Sequence, residues 1–250
     1  MAYLTKEHIQ QFQEKGYTVL LDALTKEELA LLHEESDVLL NHLLNEGYDI
    51  VKHLGCIVEP WTCGFLEYEN EEYKTTAQSY KEIRDTILWD NAFPGSASDL
   101  ILKKYGGFAS QLLASQRVYL LNEQFIIKPP FTLGQSQFVW HKDSDYYDDV
   151  RHRKEWTVAC WTALDDVGAS NGTVELKDFQ GGERMLEAPA GSILFMSSQL
   201  LHKSEGNGSA AFRRAFMTQF STKPLLHYGR DHLPLAAQCV GLAVPCDTAS

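Results

Sequence analysis

The sequence predicts a mainly β protein, a sandwich or barrel of the jelly-roll kind, with helices packed on the outside of the β core. Short β-rich segments separated by Gly, Pro, Asn and Asp fill residues 118–221, whereas the periodicity near the N-terminus is helical. No repeat or long linker divides the 250 residues. We therefore expect a single domain: about 1–117 a mostly helical flank, about 118–222 the jelly-roll core and about 223–250 a C-terminal tail.

Three helices are predicted before the β core. Thr5 can cap the first helix and Gly16 stands where it would end, after which residues 17–21 form a short extended segment. Residues 25–28, Thr-Lys-Glu-Glu, form a capping box for the second helix, and a third is expected over residues 73–88. The second helix carries an apolar stripe that is most simply core: Leu29, Leu32, Val38, Leu39 and Leu43.

Six later segments are typical of strands because they are short, rich in β-branched or aromatic residues and bounded by turn residues. They are residues 118–127, 138–143, 157–164, 173–176, 192–196 and 215–221. This number of short strands, evenly spaced, is typical of a jelly roll.

Composition argues against several classes of partner. Lys plus Arg number 22 against 34 for Asp plus Glu, a net charge of −12, which disfavours a nucleic-acid or anionic-membrane surface. No apolar run has transmembrane length and the N-terminus does not read as a signal peptide. The five cysteines are odd in number and form no CxxC pair, which favours reduced thiols in a cytoplasm. We expect a small-molecule partner, and the pattern indicates no oligomeric state.

Three residues have the types and spacing of a metal site. His141 and Asp143 lie two apart at a predicted strand end, so their side chains point to the same face, and His202 follows another core strand in a predicted loop. Two histidines and one carboxylate leave three coordination positions open, as in non-haem Fe(II) oxygenases. Arg213, eleven residues beyond His202, could anchor a carboxylate co-substrate, which would compensate a guanidinium buried on a strand.

With these residues in order, the chain resembles the phytanoyl-CoA dioxygenase family of Fe(II)- and 2-oxoglutarate-dependent oxygenases. The resemblance covers most of the chain. Its motifs are Trp140-His141-Lys142-Asp143, His202-Lys203-Ser204 and Phe212-Arg213-Arg214-Ala215, together with residues 11–17, 127–129, 161–166 and 171–172.

The resemblance implies a double-stranded β-helix, the cupin-like jelly roll, with iron on His141, Asp143 and His202. It implies that Arg213 binds the distal carboxylate of 2-oxoglutarate with help from Ser204. Halogenating relatives have a small residue in place of the carboxylate ligand, so the presence of Asp143 favours oxygenation.

Further cofactor and substrate contacts are expected around this centre. Phe138 sits where relatives pack an aromatic ring against the co-substrate, and Trp161 lies on a strand that lines the same cavity. Asn122 and Gln124 alternate on one strand face that should point inward and touch co-substrate or substrate. Tyr146 and Tyr147 follow the metal motif and could line the substrate mouth.

The expected function is an Fe(II)- and 2-oxoglutarate-dependent dioxygenase that uses O2 to hydroxylate an aliphatic C–H bond of a small metabolite, releasing succinate and CO2. Desaturation, epoxidation and ring closure remain open, as do amino acid, alkaloid, terpenoid and other secondary-metabolite substrates. Two alternatives belong to other classes: a non-enzymatic jelly-roll binding module with a vestigial metal site, and a zinc-dependent hydrolase with the same ligands. The hydrolase would have no use for Arg213.

Overall fold

The computed structural model describes residues 3–60, 76–89, 97–147, 150–227, 230–234 and 242–247. Its strands form a large antiparallel sheet, a small antiparallel sheet and a two-stranded ribbon. The strands are β1 Tyr17–Leu20, β2 Ile57–Val58, β3 Arg117–Lys128, β4 Phe138–His141, β5 Thr157–Ala163, β6 Val174–Lys177, β7 Glu183–Met185, β8 Ile193–Ser197, β9 Leu201–Ser204, β10 Arg213–Ser221, β11 Leu226–His227, β12 Arg230–Pro234 and β13 Val244–Asp247.

The large sheet has the order β1-β8-β5-β10-β3-β13, with β2 also paired to β3, and the small sheet has the order β4-β9-β6-β7. Strands that are distant in sequence are therefore neighbours in both sheets, as expected for the predicted jelly roll. The ribbon pairs β11 with β12.

The helices are α1 Lys6–Lys15, α2 Lys26–Asn45, α3 Ala77–Trp89, α4 Ala97–Asp99 and α5 Gly106–Leu112, with π-helical residues Leu100–Tyr105 joining the last two. Thr5 and Thr25 cap α1 and α2 as predicted. Gly16 ends α1 in the left-handed conformation, with φ +80°. The predicted start of the third helix, residues 73–75, lies outside the described residues. None of the helices in the described ranges is both long and apolar enough to cross a membrane.

The two faces of the large sheet have different partners because side chains alternate along each strand. On β10, Phe216 and Phe220 join the helices in one apolar cluster. Ala215 and Met217, on the opposite face, belong to a second cluster between the sheets. The helices thus cover the outside of the β core, as predicted, and the inner face is left for the site.

A fully buried ionic network ties this helical layer to β3. The guanidinium of Arg84 on α3 donates to both carboxylate oxygens of Glu35 on α2, at 2.8 and 2.7 Å. Its Nε lies 3.1 Å from each carboxylate oxygen of Glu123. One guanidinium thereby joins two helices and the strand whose inner residues line the cavity described below.

Several features differ from the sequence prediction. Strand β9 occupies a segment expected to be a loop, because its pairing with β4 and β6 orders a polar tetrapeptide that has no strand pattern of its own. The helical stretch 97–112 and the short strands β2, β7, β11, β12 and β13 were not predicted. Strand β13 lies in the segment expected to be a C-terminal tail, but it pairs with β3 in the large sheet. The predicted strand 138–143 ends at His141, and Asp143 instead begins a 3-10 helix, Asp143–Tyr146.

Candidate metal centre

The three residues with metal-ligand chemistry meet at the edge of the small sheet. His141 on β4 is the direct cross-strand partner of His202 on β9, so antiparallel pairing places the two imidazoles side by side, with ring centroids 4.3 Å apart. Asp143 Oδ1 lies 3.5 Å from Nε2 of His202 and 3.9 Å from Nε2 of His141. One ligand atom from each residue falls within 4.8 Å of the others.

Both imidazoles are oriented by backbone carbonyls. Nδ1 of His141 lies 2.7 Å from the Val139 carbonyl, and Nδ1 of His202 lies 3.0 Å from the Leu200 carbonyl. A carbonyl only accepts, so each Nδ1 carries a proton, and in the neutral form of each ring Nε2 is the nitrogen that presents a lone pair to a metal. Burial, followed by the neighbouring His202, lowers the pKa of His141, which favours the neutral ring that a metal requires.

The carboxylate is oriented by an amide. Gln219 on β10 donates from Nε2 to Asp143 Oδ2 at 2.9 Å, which leaves Oδ1 facing the histidines. Sequence reasoning missed Gln219. The available signal was its position on the strand, six residues after Arg213, which puts both on the same face.

Arg213 lines the same cavity as the three metal-ligand residues and is 1% exposed. Its Nη2 donates to the Gly172 carbonyl at 3.2 Å, but Nε and Nη1 are buried and have no hydrogen-bond partner among the described residues. Burial lowers the pKa of Arg213 to about 10. A buried guanidinium with free N–H groups is a binding position for an anion.

Lys128 on β3, which the sequence interpretation assigned no role, stands beside Arg213 as its cross-strand partner and is fully buried. Its Nζ donates to Ser204 Oγ at 2.6 Å and to the Glu205 carbonyl. Burial and then the charge of Arg213 lower the pKa of Lys128 to about 6, while Cys56 and Glu205 act weakly in the opposite direction. Ser204 is thus at the predicted end of the cavity, with Lys128 as its hydrogen-bond partner.

Two aromatic rings face these cations. Lys128 Nζ lies 5.1 Å from the centroid of the Phe138 ring, and Arg213 Cζ lies 5.6 Å from that of Trp161. Phe138 and Trp161 therefore lie where the sequence interpretation put the co-substrate.

A cavity of about 690 Å³ connects the metal-ligand residues with the basic end. Of the predicted substrate contacts, Asn122, Gln124 and Tyr146 line it. Tyr147 is not brought to the cavity: its ring is fully buried with Leu121 and Leu225, and its hydroxyl bonds Thr157 at 3.0 Å. This placement gives Tyr147 a packing role.

The residues present fit the cofactor implied by the sequence. Two neutral imidazoles and one carboxylate form the donor set that non-haem Fe(II) oxygenases use, and this set leaves positions for further ligands. The unsatisfied guanidinium of Arg213 at the end of the same cavity suits the free carboxylate of a bound co-substrate. A jelly-roll core with this site defines the class of Fe(II)- and 2-oxoglutarate-dependent oxygenases.

Comparison with known families agrees. The family model of phytanoyl-CoA dioxygenase (PhyH) matches residues 12–177, about two thirds of the 250-residue chain. The chain belongs to this family and is an enzyme of the oxygenase class. The match includes His141 and Asp143 but ends before His202 and Arg213, which are joined to the site by the geometry above. No curated protein matches the chain at the sequence level.

Solved structures share the fold. The α-ketoglutarate-dependent carbocyclase SnoK from nogalamycin biosynthesis has a TM-score of 0.60 at 16% identity, over 89% of this chain and 85% of that one. EctD from S. alaskensis, solved with 2-oxoglutarate and 5-hydroxyectoine, has a TM-score of 0.60 at 18% identity, over 88% of this chain and 77% of that one. The epimerase SnoN, in complex with Fe3+, α-ketoglutarate and nogalamycin RO, has a TM-score of 0.58 at 12% identity, over 86% of this chain and 82% of that one. The expected family, fold, enzyme class and cofactor set are confirmed.

Proposed function

We propose that this enzyme oxidises an aliphatic C–H bond of a small organic molecule, most simply by hydroxylation, with 2-oxoglutarate converted to succinate and CO2. The observation that carries the proposal is the cavity that runs from the His-Asp-His cluster to the buried guanidinium of Arg213, whose Nε and Nη1 have no hydrogen-bond partner among the described residues. Iron, when bound, supplies the activation of O2 and the oxidising power. The chain supplies binding, orientation and exclusion of water.

Arg213 and Lys128 hold the co-substrate at its distal carboxylate in this proposal. The guanidinium offers two unpaired N–H groups in a planar fork, and the ammonium adds a second positive charge. The rings of Phe138 and Trp161 line the cavity beside these two groups. A bound anion would also restore the charged state of Lys128, which burial alone disfavours.

The organic substrate occupies the part of the cavity lined by Asn122, Gln124 and Tyr146. The two amides are nearly buried, and Asn122 Nδ2 is 3.5 Å from Gln124 Oε1, so both retain hydrogen-bonding capacity for a ligand. Apolar side chains such as Ile126 and Met196 complete the wall. This lining favours an uncharged, partly apolar molecule that carries hydrogen-bonding groups.

The proposal is tested by anaerobic titration of the metal-free protein with Fe(II) and 2-oxoglutarate, followed by the visible metal-to-ligand charge-transfer band. We expect a band that needs both components, is lost in Asp143→Ala and requires much more 2-oxoglutarate in Arg213→Met. Succinate formation from 2-oxoglutarate under air measures turnover. Iron binding that is indifferent to 2-oxoglutarate would contradict the proposal and favour the hydrolase or the vestigial binding module.

A further inference from the structure

The inner faces of the two central strands form a ladder of paired side chains. Adjacent inward positions on β3 and β10 are cross-strand partners, and they change in character along the strands: Lys128 with Arg213, Ile126 with Ala215, Gln124 with Met217, and Asn122 with Gln219. The six residues from the basic pair to the amide pair span about 20 Å. In the proposed function the basic pair at one end of the ladder binds the carboxylate of the co-substrate, and the amide pair at the other end contacts the carboxylate of Asp143.

Gln219 is built into the amide end with defined geometry. Its side chain is 2% exposed, and its Nε2 donates to Asp143 Oδ2 at 2.9 Å. The orientation of the amide follows from chemistry, because a carboxylate accepts hydrogen bonds and would repel the amide oxygen. The register between β10 and β3 shifts directly after Gln219, and such bulges re-aim side chains next to active sites.

The amide is not explained by packing. Gln219 Oε1 is buried and has no hydrogen-bond partner among the described residues. The unsatisfied oxygen destabilises the fold and offsets the gain from the hydrogen bond to Asp143, so folding alone gains little from an amide at this position. The one strong contact that Gln219 makes is with a metal-ligand residue, which indicates a role at the metal centre.

We propose that Gln219 is a positioning residue that holds Asp143 as a one-oxygen ligand; this inference rests on the proposed function. An octahedral ion has six positions, and two imidazoles with one carboxylate oxygen leave three. A co-substrate that chelates the ion would occupy two of these and leave one free. A carboxylate bound through both oxygens would remove that last position. By holding Oδ2, Gln219 keeps only Oδ1 available to the metal.

The test compares Gln219→Met, which keeps the length of the side chain and removes both polar groups, with the matched control Thr218→Val. Thr218 is the buried neighbour on β10 and faces away from the metal-ligand residues. The dissociation constant for Fe(II) is measured anaerobically with and without 2-oxoglutarate, together with the charge-transfer band. Thermal unfolding of the metal-free proteins reports the stability of the fold. Gln219→Ala is a second variant, which removes the amide without placing any new side-chain volume next to Asp143.

We expect both Gln219 variants to weaken Fe(II) binding about 10–100-fold and to shift or weaken the band. The thermal midpoint of metal-free Gln219→Met should stay close to that of the metal-free native chain, because the lost hydrogen bond to Asp143 and the removed unsatisfied oxygen offset each other. Thr218→Val should bind Fe(II) with an affinity within about twofold of the native protein. Native-like iron affinity and band in the Gln219 variants would overturn the inference. So would an equal loss in Thr218→Val. No band in the native protein would instead contradict the proposed function itself.

Discussion

Replacing Lys128 by Met is expected to stabilise the ligand-free fold while weakening co-substrate binding. The Lys128 pKa is about 6 in the fold and 10.5 in the unfolded chain. Between these values the unfolded chain binds a proton that the folded chain has released, so native stability rises with pH over this window. Each pH unit is worth ~1.4 kcal/mol, and the 3.5 units from pH 7 to 10.5 make the lysine cost the fold about 5 kcal/mol at pH 7.

The hydrogen bonds of Lys128 offset part of this cost. The neutral amine donates its two N–H groups to the carbonyls of Glu205 and Gly172, and its lone pair accepts a hydrogen bond from the Ser204 hydroxyl; these contacts together contribute about 3 kcal/mol. Lys128→Met should therefore gain about 2 kcal/mol at pH 7, a rise in midpoint of about 4–8 °C for a chain of this size. At pH 9 the lysine costs only about 2 kcal/mol, so the native chain should then be the more stable by about 1 kcal/mol.

The assay is thermal unfolding of metal-free, ligand-free protein at pH 7 and pH 9. Lys177→Met is the control, because Lys177 forms an exposed ion pair with Glu183 at 3.4 Å and its removal should change stability by less than about 1 kcal/mol. In the iron titration, loss of a charged hydrogen bond should weaken 2-oxoglutarate binding by Lys128→Met about 10–100-fold. A lower midpoint than the native chain at pH 7, or no reversal between the two pH values, would refute this reasoning.

Three further substitutions test the framework of the site. Arg84→Met leaves two buried carboxylates without their cation and should lower the free energy of unfolding in urea by about 3–5 kcal/mol; a near-neutral change would show that the network is solvated. Gly172 has φ +75°, and a Cβ added there would lie 2.3 Å from the Glu205 carbonyl oxygen. Gly172→Ala should therefore lower the free energy of unfolding by at least ~2 kcal/mol and weaken 2-oxoglutarate binding. A native free energy of unfolding together with native 2-oxoglutarate affinity would argue against a close approach of the two backbone segments. Tyr147→Phe should lose about 1 kcal/mol without affecting iron or 2-oxoglutarate affinity; an altered affinity would return Tyr147 to the site.

The sequence was sufficient for elements whose signals are local. Thr5 and the 25–28 capping box place the two N-terminal helices, because capping depends on a few adjacent residues. Strands β1, β3, β5, β8 and β10 of the large sheet were predicted because they are long or strongly apolar, whereas the short strands β2 and β13 were not. Strand β9, Leu-His-Lys-Ser, has neither property and is ordered by its neighbours β4 and β6. Its assignment required tertiary structure.

The same division applies to the site. His141, Asp143, His202 and Arg213 could be proposed because their residue types and order match one chemistry. Lys128 and Gln219 could not, since their roles depend on the register between β3 and β10 and on a bulge. The spacing of six residues from Arg213 places Gln219 on the inner face of the strand, but neither this spacing nor a lysine at the end of an apolar strand indicates which group the side chain contacts.

The way the two histidines are held affects the mutational robustness of the metal centre. Each Nδ1 proton is accepted by the main-chain carbonyl two residues earlier, at Val139 and at Leu200. Every amino acid carries that carbonyl, so sequence drift at these two positions preserves the acceptor as long as the backbone keeps its path. The tautomers of both histidine ligands are therefore set by the path of the backbone and not by the identity of the neighbouring side chains. Of the three orienting contacts, only the one from Gln219 to Asp143 can be deleted by a single side-chain change.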